Sequence, residues 1–205
     1  MRQEGWRLFV KRTFDRATAA AALVASAPIV LGAALAIRAK LGSPVLFRQQ
    51  RPGRDGKPFT LIKFRTMLDA NDRSGRPLPD HERLTEFGQW LRSTSIDELP
   101  QLLNVLRGEL SLVGPRPLLM EYLSRYSAKQ ARRHEVLPGM TSWTAINGRN
   151  NLSWPQKLAY DTWYVDNWNL LLDLRILLST ITVVLRRKGV SREGHATMPE
   201  FRGET

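Results

Sequence analysis

From Ala17 to Ile37 the chain carries no charged residue, and Ala, Leu, Val and Ile dominate the run. Its 21 residues match the ~20 that a helix needs to cross a hydrocarbon core. The two flanks are alike: Arg2, Arg7, Lys11, Arg12 and Arg16 precede it, and Arg38, Lys40, Arg48, Arg51 and Arg54 follow. Lys and Arg accumulate on cytoplasmic flanks, so matched flanks place both ends on the cytoplasmic side. Pro28, near the middle, interrupts the helical ladder. The Ser26 hydroxyl can satisfy a carbonyl freed at depth. The sequence therefore predicts a re-entrant membrane helical hairpin over residues 1–40, broken at Ser26 and Pro28. Residues 41–205 then form a second domain on the cytosolic face. A helix that spans once is the competing reading. A cleaved signal peptide has a shorter apolar stretch, and cations do not follow it at once.

The second constraining stretch is Ser95-Ile96-Asp97-Glu98-Leu99-Pro100-Gln101, two adjacent carboxylates in a chain with 31 Lys+Arg against 19 Asp+Glu. Ser95 and Glu98 have capping-box spacing, and Pro100 fits only a first helical turn. Both acids then sit at the positive end of a helix dipole. Taken alone, such a stretch is more often a cap than a site. The sharper reading makes one carboxylate a nucleophile and the other a metal ligand. The formal charge of +12 implies an anionic partner: nucleic acid, anionic headgroups or a phosphorylated substrate. The absence of cysteine excludes disulfides and thiolate metal sites. His81, His134 and His195 have no metal-ligand spacing.

Elsewhere the pattern predicts an α+β, mainly helical fold. Residues 44–49 and 59–65 read as strands around the turn Pro52–Gly56, a small β-hairpin with Lys63 and Arg65 on one face. That face is either solvated or a pair of phosphate contacts. Helical spacing covers His81–Arg92, Asp97–Arg107 with Gly108 as terminator, Leu118–Arg133 and Leu170–Leu185. The last of these reads as an amphipathic interfacial helix or a core helix. Arg116 between Pro115 and Pro117 has a fixed backbone, suited to aiming at an anion or to a plain turn. Four tryptophans within residues 143–168 suggest either a membrane–water boundary or a core.

In order along the chain stand Lys11-Arg12-Thr13-Phe14-Asp15, Gln50-Arg51-Pro52-Gly53, Lys63-Phe64-Arg65-Thr66-Met67 and Arg92 with Asp97-Glu98-Leu99-Pro100-Gln101. Asn104-Val105-Leu106, Gly114-Pro115-Arg116-Pro117, Pro138-Gly139, Asn147-Gly148-Arg149-Asn150 and Gly189-Val190-Ser191-Arg192-Glu193-Gly194-His195 complete the set. Over about residues 11–203 this order resembles the monotopic phosphoglycosyl transferases, a family of bacterial sugar transferases. The likeness is greatest to the small single-domain kind that transfers N,N'-diacetylbacillosamine phosphate in protein glycosylation. The hairpin's usual Ser-Pro is here Ala27-Pro28, and the usual Gly-Trp-Ala-Gln is Ser142-Trp143-Thr144-Ala145.

The resemblance implies an enzyme of the bacterial inner membrane with its active site on the cytoplasmic face. Asp97 would be the nucleophile, and Glu98 with Asp97 would hold Mg²⁺. Arg92, Arg149, Lys63 and Arg116 would bind substrate or phosphate. The expected partners are a UDP-sugar, polyprenyl (undecaprenyl) phosphate and membrane phospholipids, with no nucleic acid. The Glu193-Gly194-His195 segment points by analogy to an N-acetylated amino sugar. The alternatives are a hexose-1-phosphate transferase using UDP-glucose or UDP-galactose, and a basic membrane-associated binding protein without catalysis.

Overall fold

The computed structural model describes residues 3–76, 78–186 and 200–203. The apolar run lies within α1, Gly5–Lys40, a single helix of 36 residues with Pro28 inside it. The helical assignment runs unbroken through Pro28, with no separate turn between two helices. A proline removes one i→i−4 bond, here to Val24, and the Ala- and Leu-rich neighbours hold the helix on either side. The Ser26 hydroxyl approaches the Leu23 carbonyl at 3.5 Å, not that of Val24.

Both ends of α1 nevertheless rest on the same folded domain. Ala19, Ala22 and Leu23 pack into one core cluster, and Val30, Ala33, Ala34, Ile37 and Leu41 into another. Between them Val24 and Ile29 are exposed. Lys11 is fully buried and ion-pairs with Asp173 at 2.6 Å. By length and composition α1 is long and apolar enough to cross a membrane.

The β-hairpin forms as expected, β1 Leu46–Pro52 antiparallel to β2 Pro58–Phe64, with Phe47 opposite Lys63. Arg65 lies just past β2 and is buried; its guanidinium donates to the Leu41 and Ser43 carbonyls. That makes it a clamp on the loop after α1. The segment His81–Arg92 is two helices, α2 Asp80–Arg83 and α3 Glu86–Ser93, because Thr85 caps α3 by accepting from the Gly88 amide.

The capping box at Ser95 is absent. Ser95 has φ 57° and makes no side-chain cap, and Ile96–Gln101 is a 3-10 turn leading into α4, Leu102–Arg107. Pro100 has no N–H for an α-type bond, whereas the tighter i→i+3 pattern is served by Glu98 N–H to the Ser95 carbonyl at 3.1 Å. Gly108 ends α4 with φ 77°, as expected. Asn104 ties α4 to the hairpin, accepting from the Ile62 amide and donating to the Thr60 carbonyl.

Strand β3, Ser111–Val113, pairs in parallel with β4, Gly139–Thr141, which the sequence reading missed. The helix expected over Leu118–Arg133 is broken into a 3-10 turn Met120–Arg125, α5 Ala128–Ala131 and another 3-10 turn Arg132–His134. Short α6, Trp143–Ile146, precedes α7, Trp154–Asn167, and α8, Leu170–Arg186. The tryptophans serve mainly packing: Trp168 is in the main core, Trp143 stacks on Trp163 at 4.7 Å, and Trp154 joins Tyr122 and Phe201. Exposed Leu171, Leu174, Leu178 and Ile181 form an i, i+3, i+7, i+10 stripe along α8.

Candidate active site

One cleft of about 1210 Å³ gathers side chains from the hairpin, α3, the Ile96–Gln101 turn and the loops after β3 and α6. Its lining holds ten Lys or Arg residues against five Asp or Glu. The six predicted site residues, Asp97, Glu98, Arg92, Arg149, Lys63 and Arg116, all face it. Ser26 and Pro28 lie elsewhere, on α1.

The carboxylates are set by the 3-10 turn. Glu98 Oε1 takes both nearby cations: the Lys63 ammonium at 3.3 Å and the Arg116 guanidinium in a shorter contact. Burial works to raise the Glu98 pKa, but Arg116 and Lys63 outweigh it and hold the carboxyl well below the usual range. Asp97 is buried and accepts no hydrogen bond among the described residues. Burial, helped by the Glu98 charge, raises its pKa to about 6, against the pull of Lys63, Arg116 and Arg92. Two neighbouring carboxylates are thus driven apart, one firmly ionised and one basic enough to act, the pattern of a divided chemical role.

The cations are held as firmly. Burial lowers the Lys63 pKa while Glu98 opposes it, and Glu98 raises that of Arg116. Arg92 donates Nε to Thr66 Oγ1 at 3.0 Å, and its Nη1 is buried without a partner. Gly88 permits this approach, since a Cβ there would lie 1.8 Å from the Thr66 carbonyl oxygen. Arg149 has φ 52°, and burial lowers its pKa.

Arg116 is positioned from behind. Gly114 and Gly139 come so close that a Cβ on Gly139 would meet the Gly114 nitrogen at 2.0 Å. Arg133 donates to the Arg116 carbonyl at 2.6 Å and to Asp161 at 2.7 and 3.0 Å. Thr144 completes the buried group with a 2.8 Å bond to Asp161. Sequence reasoning missed this support. Its signal was an acid at Asp161 on the buried face of α7, beside Leu158, Thr162, Tyr164 and Val165.

No cluster of three or more His, Cys, Asp or Glu able to hold a metal exists among the described residues. Mg²⁺ needs no such cage: it takes one or two carboxylates and completes its shell with water and substrate phosphates. Adjacent Asp97 and Glu98, with Glu98 Oε2 outside the two cation contacts, fit that hard-oxygen set. The segment Glu193-Gly194-His195 lies outside the described residues.

A carboxylate pair in a cationic cleft, on a domain built around a long apolar helix, suits chemistry on phosphate-bearing groups. The model of the bacterial sugar transferase family matches residues 6–187. The chain is 55% identical over 196 residues to the uncharacterized sugar transferase EpsL of Bacillus subtilis, covering 96% of this chain and 97% of that protein. It is 39% identical over 198 residues to the undecaprenyl-phosphate galactose phosphotransferase of Salmonella typhimurium, covering 88% of this chain and 41% of that one. A UDP-glucose:undecaprenyl-phosphate glucose-1-phosphate transferase of Caulobacter vibrioides is 41% identical over 186 residues, 85% of this chain and 69% of that protein. The chain belongs to the bacterial sugar transferase family and is a phosphoglycosyl transferase.

Proposed function

We propose that the protein moves a sugar 1-phosphate from a UDP-sugar to undecaprenyl phosphate, through an aspartyl-phosphosugar on Asp97. The observation that carries this is the state of Asp97: buried, without a hydrogen bond, raised in pKa, and set in a cleft of cations. At pH 7 such a group is mostly ionised yet more nucleophilic than an ordinary carboxylate.

An Asp97 oxygen attacks the donor's β-phosphorus, the bond from that phosphorus to the bridging oxygen breaks, and UMP leaves. A phosphate oxygen of the lipid then attacks the same phosphorus. The bond to Asp97 breaks, giving the polyprenyl diphosphosugar and restoring the carboxylate. Neither step needs a net proton. Lys63, Arg116, Arg92 and Arg149 offset the anionic charge that would otherwise repel the nucleophile. Mg²⁺, bound by Glu98 and Asp97 with the substrate phosphates, would neutralise charge on the leaving group.

Membrane contact belongs to the outer face of α1. Phe14, Val24, Ile29, Leu31 and Leu35 are exposed there, with Arg12, Arg16, Arg38 and Lys40 at the two ends. With both ends on one domain, the middle dips into lipid and the cationic ends stay at the cytoplasmic headgroups, and the α8 stripe lies at the same boundary. That height suits an acceptor whose phosphate sits at the membrane surface. Attachment through apolar area survives high salt, which a purely electrostatic binder would not.

The test is nucleotide release from detergent-solubilised protein given Mg²⁺, undecaprenyl phosphate and a panel of UDP-sugars. UMP from one donor is expected, and UDP would mean ordinary glycosyl transfer and end this reading. The panel carries N-acetylated amino sugars, the donor class the sequence resemblance points to. It also carries UDP-galactose and UDP-glucose, favoured by the sugars in the names of the Salmonella and Caulobacter relatives.

A further inference from the structure

Arg51 stands in the cleft with no role in the two displacements above. It is the penultimate residue of β1, and it lines the cleft with Arg116, Tyr122 and Trp154. Its Nη2 donates to Gln49 Oε1 at 2.6 Å, its Nε is buried without a partner, and no carboxylate pairs with it among the described residues. Glu98, an ionised acid of the cleft, already gives Oε1 to Lys63 and Arg116. Arg51 and Arg116 thus face one cavity as like charges, Arg116 paired with Glu98 and Arg51 with no ion pair of its own, Glu121 acting on it only through space. Burial and the Arg116 charge push the Arg51 pKa down to about 10. Such a pair is costly unless a ligand supplies the missing negative charge.

The neighbours of Arg51 point to that charge. Asp97 and Glu98 meet Arg116 through the Glu98 contact. Arg51 is within electrostatic reach of Arg116 and Tyr122; Tyr122 packs edge-on against Trp154 at 5.7 Å, and Phe201 lies against both at 5.6 and 5.4 Å between ring centroids. Arg92 is bonded to Thr66, and the charges that act on it are Asp97, Asp80, Arg83 and Glu98 rather than Arg51 or Arg116. A diphosphate with its β-phosphorus at Asp97 carries its α-phosphate one bridging oxygen further on.

We propose that Arg51 binds the α-phosphate of the nucleotide donor, and hence the phosphate of the departing UMP, turning the nucleoside toward the Tyr122–Trp154 wall. The assignment rests on the proposed function and adds the group that selects a nucleoside diphosphate donor.

The experiment is equilibrium binding of UMP and of uridine to the purified full chain, wild type against Arg51→Gln and Arg51→Lys, with KM measured for donor and acceptor. Loss of a charge-assisted contact predicts about tenfold or more weaker UMP binding for Arg51→Gln. Uridine affinity should be unchanged, donor KM raised, undecaprenyl phosphate KM within twofold, and Arg51→Lys intermediate. UMP affinity retained within twofold by Arg51→Gln overturns the assignment. So does equal loss of uridine binding, which would mark a merely structural residue; Arg51→Lys, which keeps the charge, serves the same comparison if the Gln variant does not fold. Wild-type release of UMP alongside an unaffected variant sinks this inference alone, whereas wild-type release of UDP sinks the proposed function with it.

Discussion

Replacing Asp173 with Asn removes the charge on which three separate parts of the chain converge. Asp173, on α8, accepts from the Lys11 ammonium of α1 at 2.6 Å and from the Trp168 indole N–H at 3.0 Å. The Tyr164 hydroxyl of α7 lies 2.7 Å from its other oxygen. Lys11 and Asp173 side chains are 1% and 6% exposed, so water cannot replace the lost partner. Leaving one member of a buried pair uncompensated costs about 3–5 kcal/mol. Asp15, 3.6 Å from Lys11, remains as a weaker counter-charge and sets the expectation near the lower end, about 3 kcal/mol. For a chain of 205 residues this is a fall in Tm of about 6–12 °C. Urea unfolding in detergent, followed by tryptophan emission, reads it directly, since Trp168 is bonded to the replaced group. Lys11→Met should cost a similar amount, and the double variant should cost at least about 1 kcal/mol less than the two singles summed. A loss under about 1 kcal/mol for Asp173→Asn, or strict additivity, would refute the claim that this pair fastens α1 to the domain.

Three further perturbations follow from the same contacts. Phe201→Ala empties the pocket between Tyr122, Tyr126 and Trp154; it should lower stability by about 3 kcal/mol in denaturant titration and raise donor KM, because Tyr122 flanks Arg51. His134 is held neutral: burial first, then the Arg133 charge, lower its pKa from 6.5 to about 4. An unfolded chain takes up that proton sooner, so stability should be lost as pH falls from 6.5 to 4, by ~3 kcal/mol, and His134→Asn should flatten that limb in pH-resolved melts. Because the chain has no cysteine, Glu4→Cys and Ala39→Cys give clean labelling sites near the two ends of α1. Both should react from the cytoplasmic side of sealed vesicles, and protection of one alone would overturn the monotopic reading.

Much of the site could be read from the residues because its signals are local. Two acids in a basic chain mark Asp97 and Glu98, the strand alternation places Lys63, and the flanking prolines fix Arg116; all three elements meet in the cleft. Gly108 and the apolar span of α8 were equally plain. What failed depends on partners far away in sequence. Arg65 alternates like Lys63, yet its guanidinium finds the Leu41 and Ser43 carbonyls. Arg133 reads as a helix-end cation, but it is buried against Asp161 and donates to the Arg116 carbonyl, a prop behind Arg116. Ser95 and Glu98 have cap spacing, yet Pro100 and the cations force a 3-10 turn and draw Glu98 into the cleft. Pro28 stands inside α1, whose helical assignment runs through it.

The most direct test is to trap the acyl phosphate. The full chain, given Mg²⁺ and the active UDP-sugar labelled in its sugar, is left without acceptor, quenched in acid and mapped by mass spectrometry. The account predicts one phosphosugar on the peptide bearing Asp97, discharged by added undecaprenyl phosphate and absent from Asp97→Asn. Turnover to lipid-linked product with Asp97 never labelled, or undiminished in Asp97→Asn, would contradict it.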